Sequence, residues 1–233
     1  MITWLKHDTP FPPVEKALAL PNGLLAAGQD VSPERILDAY SRGIFPWYSE
    51  DEPVLWWSPN PRMVLFPDEF RISRSLAKAV SGSKFEIRMD TAFRRVMEAC
   101  AKPRSGQKGT WIVPEMIDTY FRLHEMGFAH SVESWLPGDA GDELVGGLYG
   151  MALGKVFFGE SMFALQTDAS KVALAALVER LKRDGFELID CQQETKHLAS
   201  LGARPIARSE FTQRLKELIH FPLVPHNWKS ETR

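Results

Sequence analysis

A strand, a helix and a second strand follow one another with short joints between residues 156 and 192, and this succession limits the possible folds more than any other feature. The first strand contains the run Phe157–Phe163 (FFGESMF), and the second is Phe186–Gln192 (FELIDCQ). The helix between them has apolar residues at positions i, i+3, i+4 and i+7, which are Leu174, Leu177, Val178 and Leu181. Such a β-α-β unit predicts two parallel strands with a right-handed crossover.

Most of the chain before this unit predicts further elements of a mixed α+β domain. The run 144–163 is typical of a β-hairpin that turns at Leu153–Gly154, and residues 130–135 alternate like another strand. Two helical patterns separated by a short strand occupy residues 71–102, and a third helix is expected over Glu115–Met126. We therefore expect a sheet with both parallel and antiparallel strand pairs.

The first 61 residues are rich in proline and tryptophan and differ from the remainder. Ser32 is a suitable helix N-cap, Pro33 suits the first helical position, and Gly43 can end a short helix. Four prolines between residues 46 and 61 then disfavour any long helix. We expect a small, irregular N-terminal domain over residues 1–61 and a larger domain over residues 62–233.

Composition and cysteine usage exclude several classes of protein. Hydrophobic residues make up 44% and charged residues 25% of the 233 residues, as in ordinary globular proteins. No apolar run approaches the roughly 18 residues of a membrane span. With two cysteines and no secretory leader, a cytoplasmic location is expected. The six histidines lack the spacings of zinc ligands, so no metal site is expected.

Charge is unevenly distributed along the chain, although the net charge is only −2. Residues 62–108 contain eleven Lys/Arg and five Asp/Glu, whereas residues 109–200 contain seven and fourteen. A basic block inside an acidic chain is typical of a protein that binds a polyanion. A solvated basic face without a partner is the alternative, and charge alone favours it.

Three polar residues occur near the carboxyl ends of the two strands of the β-α-β unit. Because side chains alternate along a strand, Asp190 and Gln192 are expected on one face, opposite Cys191. Glu160 lies late in the preceding strand, in an apolar run where an ionised carboxylate needs a partner. Ligands bind beyond the carboxyl ends of parallel strands, so Glu160, Asp190 and Gln192 are candidate site residues. A structural hydrogen-bonded network is the alternative.

A cysteine and several tryptophans are further candidates for site residues. Cys191 is expected to be buried and unreactive rather than a nucleophile, although His197 is close to it in sequence. Trp111 follows the basic loop 102–109, where an indole can stack on a nucleic-acid base. Trp56 and Trp57 instead fit an aromatic core.

Eight short motifs extend over nearly the whole chain, and their combination is specific although each alone is weak. They are PNGLLA (21–26), RGIFPW (42–47), LWWSPNPR (55–62), GTWI (109–112), LVGGLYG (144–150), GESMF (159–163), SK (170–171) and LIDCQ (188–192). In these motifs the sequence resembles the leucyl/phenylalanyl-tRNA–protein transferases of bacteria.

The resemblance implies an activity and a fold. Members of this family move Leu, Phe and, less well, Met from aminoacyl-tRNA to the α-amine of a protein that begins with Arg or Lys, which creates a degradation signal. The implied fold is α+β, with a GNAT-like, acetyltransferase-type catalytic domain over residues 62–233 behind the small N-terminal domain. A monomer that uses no metal, ATP or coenzyme A is expected.

The resemblance also implies roles for individual residues. Trp47 and Trp111 would hold the terminal adenosine of the tRNA. Gln192 would orient the attacking amine, Asp190 would fix Gln192 and stabilise the developing positive charge, and Glu160 would bind polar groups of the acceptor or donor. The pocket for the transferred side chain would be lined by Leu148, Phe157, Met162, Leu177 and Ile189. Leu148 stands where members often carry Met, which leaves the order of preference among Leu, Phe and Met open.

The pocket assignment carries a geometric condition. In a regular strand Phe157 and Met162 face opposite sides of the sheet, yet both are assigned to one pocket. We therefore predict a bulge or a break in the strand near Gly159–Ser161.

Two alternative functions are compatible with parts of the sequence. A GNAT-type acyltransferase that uses coenzyme A would need a glycine-rich pyrophosphate loop before a helix, and the sequence has none. A non-catalytic RNA-binding module would explain the basic block and the tryptophans. It would not explain why Glu160, Asp190 and Gln192 occur at strand ends.

Overall fold

The computed structural model describes residues 2–82, 84–103 and 110–228, which form two β-sheets and seven α-helices. The strands are β1 (Thr3–Leu5), β2 (Leu24–Gly28), β3 (Phe45–Pro46), β4 (Val54–Trp57), β5 (Arg62–Leu65), β6 (Glu86–Met89), β7 (Ala129–Leu136), β8 (Glu143–Leu153), β9 (Val156–Ala164), β10 (Leu188–Gln192) and β11 (Arg204–Ile206). The helices are α1 (Pro33–Ser41), α2 (Arg74–Ser81), α3 (Phe93–Ala101), α4 (Pro114–Glu125), α5 (Ala169–Arg183), α6 (Lys196–Ser200) and α7 (Arg208–Leu218).

The larger sheet has seven strands in the order β11-β5-β10-β9-β8-β7-β6. Strands β9 and β10 are parallel, and every other neighbouring pair is antiparallel. Helix α5 connects β9 to β10 and ends before Gly185, whose φ of 71° a side chain would strain. The predicted parallel β-α-β unit and mixed sheet are therefore confirmed. The predicted hairpin is confirmed as well, because Leu153 pairs with Val156 across a two-residue turn.

Both faces of the larger sheet are buried, because β8 sends alternate side chains into two apolar clusters. Tyr149, Met151 and Leu153 join α3 and α4 on one face. Leu148 and Ala152 join the apolar side of α5 on the other. The sheet is thus a central layer between helices. Side chains of both helices and strands can therefore line a cavity beside β9.

The smaller sheet has the order β1-β2-β4-β3 and lies within the first 57 residues. This segment is more regular than the predicted irregular domain, because short strands form between its prolines. Helix α1 begins as predicted, with the Ser32 hydroxyl accepting from the Arg35 amide at 3.4 Å. One apolar cluster contains residues of both sheets, for example Trp56 of β4 and Val64 of β5.

Between residues 71 and 192 the helices and strands agree with the sequence patterns, but β5 and the elements after β10 were not predicted. Helices α6 and α7 and strand β11 lie in a region with mixed polar and apolar residues and no clear periodicity. Residues 104–109 of the predicted basic loop lie outside the described residues. Within the described part of the chain, no helix is long and apolar enough to cross a membrane.

Candidate active site

A cavity of about 1320 Å³ lies between residues 45–57 of the N-terminal segment and the larger sheet. Nine of the ten site residues predicted from the sequence line this cavity, although they are distributed over nearly 150 positions. They are Trp47, Trp111, Leu148, Phe157, Glu160, Met162, Leu177, Ile189 and Gln192. The tenth, Asp190, lies beneath the cavity and is fully buried.

Strand β9 has a bulge at Glu160. Ser161 pairs with Tyr149 of β8 and Gly159 pairs with the next residue, Gly150, so Glu160 is the extra residue with no partner across the ladder. The predicted bulge is confirmed. The extra residue changes the alternation of side chains, and as a result residues on both sides of it, Phe157 and Met162, line one cavity.

The carboxylate of Glu160 is held by neutral donors. Its Oε1 accepts from the Tyr40 hydroxyl at 2.7 Å and from Gln192 Nε2 at 3.0 Å. The Tyr40 oxygen also lies 2.5 Å from the Tyr120 hydroxyl oxygen. Because Tyr40 gives its single proton to Glu160, Tyr120 is the donor in this second contact. Side chains of α1 and β10 thus donate to one carboxyl group, and a side chain of α4 supports the first of them.

Burial raises the pKa of Glu160 from 4.5 to about 7, and the negative charge of Asp190 adds to this effect. The hydrogen bonds from Tyr40 and Gln192 lower the pKa, the nearby hydroxyl of Tyr120 acts in the same direction, and together they offset part of the effect. Burial also raises the pKa values of both tyrosines well above 10, so they remain neutral donors near pH 7. Glu160 can therefore gain or lose a proton close to neutral pH.

Asp190 forms a buried, two-point ion pair with Arg62 of β5. The Asp190 oxygens accept from Arg62 Nε at 2.8 Å and from Arg62 Nη2 at 2.6 Å. The same guanidinium donates to the carbonyl of Gly43 at 3.1 Å and lies 4.7 Å from the centres of the Phe45 and Phe211 rings. Arg62, the first cation of the basic block, thus has its charge compensated inside the fold.

The carboxylate of Asp190 is linked to the cavity through the backbone of Gln192. Its Oδ1 accepts from the Gln192 amide at 2.9 Å, and Gln192 has a φ of 60°. The pairing of β10 with β5 shifts register between these two residues. The expectation that Asp190 and Gln192 share a face opposite Cys191 is therefore wrong. The irregular backbone turns Gln192 into the cavity next to Cys191 and leaves Asp190 below.

The thiol of Cys191 is poorly suited to nucleophilic attack. Burial raises its pKa well above the ordinary value, and the neighbouring carboxylate of Asp190 adds to the effect. A thiol attacks as its thiolate, which this environment disfavours. Cys191 is half-buried and lines the cavity, so the expectation that it is buried is wrong, whereas its raised pKa agrees with the expected inert role.

The inner part of the cavity is apolar. Leu148, Phe157, Leu177 and Ile189 are buried members of one cluster, and the half-buried Met162 packs against it. These side chains come from β8, β9, α5 and β10, so the pocket lies on the α5 face of the sheet. An unbranched thioether among branched and aromatic walls gives a pocket that can adapt to different apolar side chains.

Two tryptophans lie at the outer part of the cavity. Trp47 is 41% exposed, and its carbonyl accepts from the Trp57 indole at 2.8 Å. The rings of these two residues are 5.6 Å apart and tilted. Trp111 is half-buried and precedes α4. An exposed indole held by its backbone offers a flat surface on which a base can stack.

Sequence reasoning missed three residues that shape the site, namely Tyr40, Tyr120 and Arg62. In sequence, Tyr40 is only one residue of the short helix predicted between Ser32 and Gly43, and Arg62 is only one member of the basic block 62–108. Each acts across 80 or more positions of sequence. The available signal was weak: a tyrosine instead of phenylalanine on a buried helix face, and an arginine at the start of a buried strand.

Comparisons with known proteins identify the family. A model of leucyl/phenylalanyl-tRNA protein transferase matches residues 64–216, and a model of the N-terminal domain of that protein matches residues 29–60. The leucyl/phenylalanyl-tRNA–protein transferase of Nitrosospira multiformis is 59% identical over 228 residues, which cover 98% of this chain and 97% of the relative. That of Chromobacterium violaceum is 57% identical over 228 residues, with 98% and 96% covered.

Among solved structures, a crystal structure of FemX aligns with 81% of this chain and 73% of that chain. Its TM-score is 0.48 at 10% identity, a likeness too distant to carry an argument about the fold. The family assignment therefore depends on the sequence matches. Their extent and identity confirm the prediction made from the eight motifs: the chain belongs to the leucyl/phenylalanyl-tRNA–protein transferase family.

Proposed function

We propose that this enzyme transfers leucine or phenylalanine, and methionine less well, from aminoacyl-tRNA to the α-amine of proteins that begin with Arg or Lys. The product would carry an N-terminal degradation signal. We propose that the enzyme acts in the cytoplasm as a monomer, without a metal or a cofactor. The observation that carries the proposal is the Glu160–Gln192 pair at the border between an apolar pocket and two tryptophans.

The proposed donor site divides the cavity into two parts. The transferred side chain would enter the apolar part beside Leu148 and Met162, and the terminal adenosine would stack on Trp47 and Trp111. One methylene contributes only about 1–3 kcal/mol to discrimination, so a pocket with a flexible thioether can accept Leu, Phe and Met. The ester bond would then lie near Glu160, between the two parts.

The proposed reaction needs no activation by a nucleotide, because the aminoacyl ester is already reactive. The amine nitrogen attacks the ester carbonyl carbon, a peptide bond forms, and the bond to the ribose oxygen breaks. Gln192 would orient the amine. Glu160 would accept its proton and return a proton to the ribose oxygen. An α-amine has a pKa of about 7.7–8.0, close to the value of about 7 for Glu160.

Asp190 and Arg62 would support this reaction without touching the substrate. Asp190 fixes the amide of Gln192, and Arg62 neutralises and holds Asp190 in turn. A residue that is 0% exposed cannot meet the incoming amine directly. We therefore propose that Asp190 is a positioning residue, and that the charge developing on the amine is stabilised by Glu160.

We also propose a GNAT-like architecture for residues 62–233, with the domain boundary after residue 61. Tyr40 and Trp47 belong to the segment before this boundary and contribute to the cavity. The apolar cluster that contains Trp56 and Val64 is shared between the two parts. We therefore expect that residues 62–233 produced alone lack transfer activity, even though they carry Glu160 and Gln192.

The deciding assay mixes the protein with radiolabelled Leu-tRNA and a peptide that begins with Arg, in the absence of ATP. The matched control is the same peptide with an acetylated N-terminus. Label should move to the free peptide and not to the acetylated one. If label stays on tRNA that the protein retains, the non-catalytic RNA-binding module is the better description. Acylation that needs acetyl-coenzyme A would support the other rival.

Comparing acceptors that begin with Arg and Lys on a Glu160→Gln variant identifies the group that Glu160 meets. If Glu160 binds the basic side chain of the acceptor, the ratio of the two acceptors changes. If it accepts the proton of the amine, as proposed, both acceptors lose activity to the same extent.

A further inference from the structure

The last described segment of the chain, residues 219–228, is a strap without helix or strand that leads from one apolar cluster, which contains Ile219, to the other, which contains Trp228. It begins where α7 ends and is attached near its other end by a hydrogen bond from the His226 amide to the Gly127 carbonyl at 2.8 Å. Gly127 has a φ of 79°, and a Cβ on it would lie 2.9 Å from Pro225. The strap therefore runs too close to this turn for a side chain to fit between them.

Trp228 at the end of the strap is among the largest fully buried side chains and is 1% exposed. Its ring stacks on His130 of β7, with centroids 4.2 Å apart and planes inclined by 19°. The guanidinium of Arg180 on α5 lies 5.4 Å from the indole centre. Trp228 thus fills the space between α5 and the sheet, and it belongs to the same apolar cluster as the walls of the candidate pocket.

The indole also stacks on Phe157, a wall of the candidate pocket, with centroids 5.8 Å apart and planes inclined by 15°. A Cβ added to Gly150 of β8 would lie 2.6 Å from Cζ of Phe157. The Phe157 ring therefore lies over a position that has no side chain. Because the ring edge packs against the Gly150 backbone and its face stacks on Trp228, the side chain at position 228 limits how far the ring can move away from the pocket.

We propose that Trp228 is a positioning residue that sets the depth of the side-chain pocket through Phe157, and so determines the preference for Phe or Leu donors. This inference rests on the proposed transfer function. The strap lies beyond residue 216, where the match to the family model ends. A smaller side chain at position 228 allows the Phe157 ring to move back, which deepens the pocket and favours the larger donor.

The test compares wild type with Trp228→Leu and Trp228→Phe variants in transfer from Phe-tRNA and Leu-tRNA. The Phe variant keeps an aromatic ring, and the indole nitrogen has no hydrogen-bond partner among residues 2–82, 84–103 and 110–228 that the change would remove. Trp56→Phe is the matched control, because Trp56 is also fully buried but lies in β4, outside the cavity lining.

The measured quantity is the ratio of kcat/KM for Phe-tRNA to kcat/KM for Leu-tRNA. Trp228→Leu should raise this ratio about fivefold or more, since pocket changes of about one methylene have effects of this size. Trp228→Phe should raise it less, and Trp56→Phe should leave it unchanged. A role in stability alone would lower both rates equally. An unchanged ratio in the Trp228 variants, or an equal change in the control, overturns the inference.

Failure of the proposed function is distinguishable from failure of the inference. If wild type transfers neither amino acid, the proposed function fails. The inference is then tested without catalysis, by the ratio of the affinities for the non-reactive analogues 3′-phenylalanylamino-adenosine and 3′-leucylamino-adenosine. The Trp228→Phe variant covers the case in which Trp228→Leu does not fold, because its ratio should move in the same direction. A binding ratio equal to that of wild type overturns the inference in this form of the test.

Discussion

Replacing Glu160 by Gln should remove a pH-dependent loss of stability. The pKa of Glu160 is about 7 in the folded protein and 4.5 in the ordinary environment of an unfolded chain. Because the pKa of Glu160 is raised in the folded protein, its stabilising contribution to the free energy of unfolding is fully present below pH 4.5 and is lost as pH rises through 7. Above pH 7 the wild type must bury an ionised carboxylate, whereas the Gln variant buries a neutral amide.

The magnitude follows from the difference between the two pKa values. At about 1.36 kcal/mol for each pKa unit, it corresponds to at most about 3.4 kcal/mol of unfolding free energy. About 2.5 kcal/mol of this would be lost between pH 5 and pH 8. Glu160 is open to the cavity and only half-buried, so solvent screening makes these values upper limits. The Gln oxygen can still accept from Tyr40 and Gln192, and the hydrogen bonds need not be lost.

The assay is urea unfolding of wild type, Glu160→Gln and a control, Glu179→Gln, at pH 5 and pH 8. Glu179 is exposed on α5. The stability of Glu160→Gln relative to wild type should rise by about 1–2.5 kcal/mol between the two pH values, and that of the control should not change. A constant difference for Glu160→Gln, or one that falls with rising pH, would show that burial does not dominate the titration of this group.

Three further substitutions test the neighbouring contacts. Asp190→Asn leaves Arg62 without its buried partner, so urea unfolding should show a loss of about 3–5 kcal/mol, and full transfer activity with normal tRNA binding would contradict the positioning role. Gly150→Ala places a Cβ 2.2 Å from the Phe158 carbonyl oxygen and should cost about 1–3 kcal/mol in the same assay, or more if the strand cannot shift. Trp111→Ala should raise the KM for aminoacyl-tRNA about 5- to 150-fold, because a stacked base contributes about 1–3 kcal/mol; an effect on kcat alone would contradict the adenosine assignment.

Local patterns were sufficient to predict most elements of the larger sheet. The apolar spacing in α5, the glycine after it and the short joints defined the parallel β9–β10 pair. The bulge at Glu160 could also be predicted, but only because the family resemblance assigned Phe157 and Met162, which lie on opposite sides of a regular strand, to one pocket. The other features depend on residues that are close in sequence, so local patterns are sufficient to predict them.

The features that were predicted wrongly or missed from the sequence depend on contacts between distant residues or on irregular backbone. The alternation of side chains along β10 predicted that Asp190 and Gln192 share one face of the sheet, but the φ of 60° at Gln192 breaks this alternation. Sequence could not pair Arg62 with Asp190, since the two are 128 positions apart. Tyr40 was missed for the same reason. Its hydroxyl reaches Glu160 only because α1 packs beside β9, and no local sequence pattern predicts that packing.

The bulge in β9 and the hydroxyl of Tyr40 together place Glu160 beside the apolar pocket and set its pKa. The proposed reaction needs an apolar pocket for Leu or Phe within a few ångströms of a group that exchanges a proton near pH 7, because only the Cα atom separates the transferred side chain from the reacting carbonyl. A carboxylate in a regular β9 would either take the place of a pocket wall or face away from it. As the extra residue of a bulge, Glu160 leaves Phe157 and Met162 in the wall and lies between them. Burial there raises its pKa, and two neutral donors, Tyr40 and Gln192, limit the rise without the ion pair that would return the pKa to an acidic value. Since Tyr40 belongs to α1, the N-terminal segment sets the titration of the site as well as its shape, which is why neither part should act without the other.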